Sequence, residues 1–318
     1  MERDTVTGLL EQRQFDALRR SLASMNAVDV ARLLEELPPE QEVVAFRLLP
    51  KALAVQVFEQ MEPDQQQRLL QSFTTEGARD LVEAMSPDDR AALMDEVPAM
   101  VARRLLQLLS PPERKATLTL LGYEEGTAGR VMTPDFVDLR KDMTVGQALA
   151  RIRSLALDKE TIYVAYVMDD ERHLRGTVSL KDLVLAHPDT RLADIMTPNP
   201  KFVYTSDSQE EVARVLRDYD LLAVPVVDEE ERLVGIVTWD DVVDIIEREA
   251  TEDIYRYGAV TGVEHRYFSA SLLQVVRQRV IWLFLLIVVN TVTGSIIAGQ
   301  SGLLEQIVIL AAFIPLLI

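Results

Sequence analysis

The sequence predicts a multidomain chain: an all-α superhelical N-terminal domain, an α/β pair of duplicated small domains, a long connecting helix and an α-helical transmembrane segment. Three observations carry this. Apolar residues recur every twelve positions from Leu37 to Leu109. The segment Leu174-Arg175-Gly176-Thr177-Val178-Ser179-Leu180-Lys181-Asp182 is nearly repeated by Leu233-Val234-Gly235-Ile236-Val237-Thr238-Trp239-Asp240-Asp241. Finally, 25 residues from Val280 to Leu304 contain no charge.

The N-terminal rhythm is Leu37, Leu49, Met61, Phe73, Met85, Val97 and Leu109. Pro38, Pro50, Pro63, Pro87, Pro98 and Pro111 follow these positions, and proline fits the first turn of a helix but breaks an interior. Acidic residues such as Glu40, Asp64, Asp88, Asp89 and Glu113 come next, where they suit the positive end of the helix dipole. The pattern predicts helices of about eight to ten residues. Helices that short are not stable alone and must bury their apolar faces against neighbouring units, as in a solenoid.

Three glycines between Gly122 and Gly129 break the rhythm and predict a linker. Each duplicated copy then reads helix, strand, acidic turn, strand, helix. The first copy has its helix at 145–155 and first strand at 161–168; the second has them at 209–218 and 223–227. A Met-Thr-Pro precedes each copy, at Met132-Thr133-Pro134 and Met196-Thr197-Pro198. A duplication of this kind makes a pseudo-symmetric pair with a cleft between the halves, which suits sensing a ligand.

The closing helix of the second copy continues from Asp240 to about Tyr257 as a charged connector. The uncharged run beyond it is long enough to span a bilayer, and Arg266, Arg277 and Arg279 ahead of it place that side in the cytosol. The chain starts without the basic and apolar regions of a signal peptide, so the same orientation is expected. A second apolar run, Ile307 to Ile318, is too short to cross, which suggests a fragment of a longer membrane protein.

Composition narrows the chemistry. Among 318 residues, 51 acidic against 33 basic side chains give a net charge of −18, which argues against a nucleic-acid partner. No cysteine and three histidines leave no thiolate site and little for zinc, so a bound metal would be a hard cation held by oxygen. No nucleophile, base and oxyanion-donor set is visible, so an enzyme is not expected.

Two constellations carry chemistry. Ser179 with Asp182 and Thr238 with Asp241 have the spacing of helix caps, and an Asp at such a cleft can also hold a ribose diol. The connector carries Asp240, Asp241, Asp244, Glu247, Glu249, Glu252 and Asp253, with Arg248 as its basic residue. Like charges three or four positions apart repel, by roughly 0.5 kcal/mol per pair at about 8 Å in water. A divalent cation would relieve that, and magnesium needs only one or two carboxylates per ion. A solvated acidic helix is the alternative.

The order of these parts resembles the MgtE family of magnesium transporters. The duplicated halves resemble a tandem pair of CBS domains. Glu249-Ala250-Thr251-Glu252-Asp253-Ile254 and Tyr257-Gly258-Ala259-Val260 resemble its plug helix, Arg279-Val280-Ile281-Trp282-Leu283 the opening of its first span, and Phe313-Ile314-Pro315-Leu316-Leu317-Ile318 the start of its second. The resemblance implies an N-terminal domain at 1–121, CBS domains at 122–190 and 191–247, a plug helix at 248–268 and a membrane region from 269 to 318. It implies a homodimer, through the CBS domains and membrane region, in the inner or plasma membrane. Magnesium would be both transported and regulatory, and ATP a further ligand at Asp182. Asp88, Glu210, Asp220, Asp241, Asp244, Glu249, Glu252 and Asp253 would be the carboxylates that magnesium bridges to close the pore. Gln56, Ala92 and Ser208 replace acids of the family, and Val164 and Leu221 replace aromatic residues. The other reading is a membrane-tethered CBS module sensing adenine nucleotides.

Overall fold

The computed structural model describes residues 3–156, 159–243, 245, 246, 280, 284, 286–292 and 295. The chain divides into two units, Met1–Ile245 and Ile246–Ile318.

The first unit opens with ten helices among the described residues. They are α1 (Arg3–Glu11), α2 (Phe15–Leu22), α3 (Ala27–Glu35), α4 (Pro39–Arg47), α5 (Lys51–Glu59), α6 (Pro63–Ser72), α7 (Thr75–Val82), α8 (Pro87–Glu96), α9 (Ala99–Leu108) and α10 (Pro111–Leu121). The twelve-residue rhythm falls in the turns: Leu37, Leu49, Met61, Met85, Val97 and Leu109 are buried just after a helix ends, and Phe73 is half-buried. Pro63, Pro87 and Pro111 occupy the first helical position, whereas Pro38, Pro50 and Pro98 cap the helix that follows. One apolar core runs through the stack from Val6 to Leu109.

The segment read as a linker is bonded to the second copy at its far end. Gly126 is left-handed, with φ 75°, and its carbonyl accepts from Gln209 N–H at 2.9 Å. Ala128 N–H donates to Asp207 O at 2.7 Å and Gly129 N–H to Thr205 O at 2.9 Å. The short helix α11 (Ala128–Val131) thereby joins the second duplicated copy. Ala91 of α8 and Leu120 of α10 share a core with Ala128, Met132, Val212 and Val226, so apolar packing is continuous across the expected boundary.

The two copies repeat their geometry closely. In the first, β1 (Asp138–Arg140), α12 (Val145–Leu155), β2 (Val164–Met168), β3 (Leu174–Ser179) and α13 (Leu180–Leu185) follow in order, and α14 (Leu192–Ile195) and β4 (Thr197–Pro198) lead onward. The second has β5 (Val203–Tyr204), α15 (Gln209–Asp218), β6 (Ala223–Val227) and β7 (Leu233–Thr238), with residues 239–243 and 245–246 helical after it. Both sheets pair their first two strands parallel and the next two antiparallel, with matching bulges at Val167/Met168 and Val226/Val227.

The Met-Thr-Pro segments cross between the copies. Thr197 and Pro198 form β4 on the first sheet, opposite Thr177 and Gly176. Thr133, which precedes the first copy, exchanges backbone hydrogen bonds of 2.8 and 2.9 Å with Ile236 of the second. The hairpin tips also meet, through a bridge between His173 and Arg232 and a bond from Arg172 Nη2 to Leu233 O at 3.1 Å.

In the second unit, residues 280, 284, 286–292 and 295 are helical, and Thr291 and Ser295 hydroxyls donate one turn back, to Ile287 O and Thr291 O. No helix among the described residues is long and apolar enough to cross a membrane. The expected connecting helix at 248–268 and most of the expected span at 280–304 lie outside the described residues.

Candidate functional site

Carboxylates from three parts of the first unit are gathered in one place. Asp88 and Asp89 sit in the first turn of α8, whose dipole favours negative charge there. Ser86 caps that helix: its hydroxyl donates to Asp89 Oδ2 at 2.8 Å and accepts from Asp89 N–H at 3.4 Å. Glu59 ends α5 and accepts from the backbone N–H of Ser86, which ties the two helices together at their acidic ends.

The duplicated pair faces these groups with Glu160 from the first copy and Asp240 and Asp241 from the second. Asp241 is held by Thr238, whose hydroxyl donates to Oδ2 at 2.5 Å and whose backbone N–H does so at 3.3 Å. The backbone N–H of Glu160 donates to Asp135 O at 2.9 Å, and the neighbouring Lys159 pairs with the Asp135 carboxylate at 3.3 Å.

The electrostatics record the crowding. Burial, then the charges of Asp241, Asp89 and Glu160, push Asp88 well above the usual carboxylate range. Glu59 is pushed up to about 7, by burial and by Asp89, with Glu160 adding to it and the Ser86 N–H opposing it. Glu160 reaches about 7 through loss of water around its carboxyl and through Asp241, Asp89, Asp240 and Asp135. The residue as a whole stays exposed, so solvent screens that repulsion more than it does at Asp88. Asp241 rises to about 6: burial, Asp240 and Asp89 outweigh the bonds from Thr238.

One atom in the group is decisive. Asp88 Oδ1 is buried and has no hydrogen-bond partner. A carboxylate oxygen stripped of water and left unpaired among other acids costs free energy unless a proton or a cation reaches it. Among the described residues no three acidic or histidine side chains stand close enough together to hold a metal ion directly between them. The donor set fits a hydrated hard ion that takes one or two carboxylates directly and the rest through water.

Of the acids singled out in the sequence, Asp88 and Asp241 are brought together. Glu210 is exposed in the first turn of α15, and Asp220 is exposed at the turn after it with φ 50°. The main charges on Asp88, Glu160 and Asp241 are each other's and those of Asp89, Asp240 and Asp135, not those of Glu210 or Asp220. Asp182 is exposed on α13, where it accepts from the Ser179 hydroxyl at 2.6 Å. Asp244, Glu249, Glu252 and Asp253 lie outside the described residues.

Glu59, Asp89 and Glu160 were missed as site residues, whereas Asp240 was read as part of the acidic connector. Asp89 adjoins Asp88, so adjacency was a usable signal. Glu59 and Glu160 gave none, because only the stacking of α5 on the later helices and the fold of the 159–163 loop bring them in.

Residues 25–126 match the family described as MgtE intracellular N domain, and residues 128–189 and 192–248 each match CBS domain. The chain is similar to the magnesium transporter MgtE of Thermus thermophilus, 48% identical over 199 residues that cover 63% of this chain and 44% of that protein. The match therefore spans less than half of that relative, which is named as a transporter and not as an enzyme. A solved structure of the cytosolic domain of the Mg2+ channel MgtE in complex with ATP is 41% identical, with a TM-score of 0.74, over 77% of this chain and 100% of that one. A structure of the soluble part of a magnesium transporter is 32% identical, with a TM-score of 0.73, over 78% of this chain and 98% of that one.

Proposed function

The chain belongs to the MgtE family of magnesium transporters, and we propose that its first unit is the magnesium-sensing gate of such a transporter, anchored by the segment after residue 268. The observation that carries this reading is the buried, unpartnered Oδ1 of Asp88 set among acids of both duplicated copies.

At low magnesium the ionised carboxylates of Glu59, Asp88 and Asp89 repel Glu160, Asp240 and Asp241. The helical domain loosens from the CBS pair, and the strain passes along the helix after Thr238 towards the membrane. At high magnesium, hydrated ions would be held between Asp88 and Asp241, with Glu59, Asp89, Glu160 and Asp240 bonding their water shells, and the assembly tightens. Asp244, Glu249, Glu252 and Asp253 extend the same bridging along the connector, and Glu210 and Asp220 supply carboxylates at the outer face of the second CBS domain, towards a second copy of the chain. Magnesium is then both the cargo of the complete transporter and the signal that closes it.

The test is limited proteolysis and calorimetry of the chain in detergent across a magnesium series. Protection should rise with magnesium and be lost in Asp88→Ala with Asp241→Ala; protection that persists in the double variant would overturn the assignment.

A second ligand, an adenine nucleotide, is favoured by the relative described as bound to ATP and by the exposed carboxylate of Asp182. Val164 and Leu221 are half-buried against apolar cores and are not free to stack on a base, whereas Tyr163 is 64% exposed beside the same strand. Tyr163 is therefore the stacking surface, and Tyr163→Ala and Asp182→Ala should each weaken ATP binding measured by calorimetry. Equal affinity in both variants would remove the nucleotide from this cleft.

A further inference from the structure

The carboxylate site is assembled by one end of α8, and the other end of the same helix is gripped by a contact that no cation supplies. Asp95 lies in the last turn of α8, seven residues after Asp88 and so on the same face two turns along. The Arg130 guanidinium holds it as a fork, with Nη2 to Oδ1 at 2.5 Å and Nε to Oδ2 at 3.0 Å. The remaining nitrogen, Nη1, donates to Leu120 O at 3.2 Å and to Tyr123 O at 3.3 Å, covering the carbonyl end of α10. The arginine side chain is only 13% exposed.

Arg130 is itself anchored to the second CBS domain. It belongs to α11, whose first two N–H groups bond Asp207 O and Thr205 O. The neighbouring Gly129 permits this, because a Cβ there would lie 2.6 Å from the Tyr123 ring and 3.1 Å from Thr205 O. A rigid path thus runs from the second CBS domain through Arg130 to α8. Bidentate arginine–carboxylate pairs fix orientation as well as distance, which a lysine at the same place would not do.

We propose that Arg130 is a positioning residue for the cation site: by clamping Asp95 it holds α8 against the second CBS domain, so that magnesium has only to close the Asp88 end. This rests on the magnesium-sensing reading above. The clamp lowers the magnesium concentration needed for closure without touching an ion, because part of the ordering of α8 is already in place before the ion arrives.

The test uses the whole chain in detergent and reads two quantities: the magnesium concentration for half-maximal protection from protease, and the melting temperature in EDTA. In Arg130→Ala the half-protection point should rise at least about fivefold, as expected for one lost coupling contact, with the same protection at saturating magnesium. Arg130→Lys should fall between, and the exchange Arg130→Asp with Asp95→Arg should recover part of the loss. An unchanged half-protection point, or a lowered melting temperature in EDTA with no change in that point, would overturn the proposal, since the clamp would then be structural only. Should Arg130→Ala fail to melt cooperatively, Asp95→Asn is decisive, because it leaves the arginine's bonds to Leu120 and Tyr123 intact. Absence of magnesium-dependent protection in the unmodified chain would instead reject the sensing reading itself.

Discussion

Met132 occupies the space in which a side chain on Gly235 would begin: a Cβ at Gly235 would lie 2.6 Å from Met132 Sδ and 3.0 Å from its Cβ. The same relationship recurs in the other copy, where a Cβ on Gly176 would meet Met196 Sδ at 2.8 Å and Thr197 O at 2.9 Å. The glycine shared by both repeats is thus a seat for a methionine from the opposite copy.

Gly235→Ala should therefore destabilise the first unit by about 1–3 kcal/mol, the usual cost of overpacking. Thermal melting would read this as a drop of several degrees. Combining it with Met132→Ala should cost less than the sum of the two, because the Sδ and Cγ contacts are gone and only the Cβ contact at 3.0 Å is left. Additive losses would mean that the two residues do not share the space.

Asp88→Asn should affect the protein in opposite directions with and without magnesium. Removing the charge from a buried oxygen relieves repulsion, so the magnesium-free chain becomes more resistant to protease. The magnesium response shrinks at the same time, with the half-protection point rising at least about tenfold. A variant that is less resistant in EDTA would show that Asp88 is held by an unseen donor instead.

The response to pH follows from the raised carboxylates. Glu59 and Glu160 titrate near 7 in the folded chain against about 4.5 otherwise, and Asp241 near 6 against about 3.8. Between these limits the folded form binds more protons than the unfolded one, so stability without magnesium falls as pH rises from about 5 to about 7. Protons and magnesium compete for the same oxygens. The apparent magnesium affinity should drop as pH is lowered from 7.5 to 5.5, and calorimetry at both values checks it. Glu160→Gln should flatten that dependence.

Much of the fold was legible because it is periodic. The twelve-residue rhythm located the helical stack and its prolines located the turns, while β2 (Val164–Met168) falls within the expected 161–168 and β6 (Ala223–Val227) has the expected bounds, both marked by their β-branched residues. Glycine density at Gly122–Gly129 located the junction between the helical stack and the duplicated pair, but it is silent on what the backbone there bonds to. Here Gly129 admits a close approach of Tyr123 and of Thr205 in the second CBS domain. The site was half legible. Asp88 and Asp241 stand in helix-start contexts that a sequence displays, but Glu59 and Glu160 reach the cluster only through packing between segments distant in sequence, 29 residues from Asp88 for Glu59 and 81 from Asp241 for Glu160.

The crossing of the Met-Thr-Pro segments has a consequence for how the chain is made. As residues emerge in order during synthesis, Met132 and Thr133 are exposed long before Gly235 and Ile236 exist to receive them. The first sheet likewise keeps a bare edge at β3 until Thr197 and Pro198 have been added. Neither copy can finish alone, so the nascent first CBS domain is an incomplete template that its own sequel closes, and a ribosomal pause between residues 180 and 197 leaves that edge open to a wrong partner.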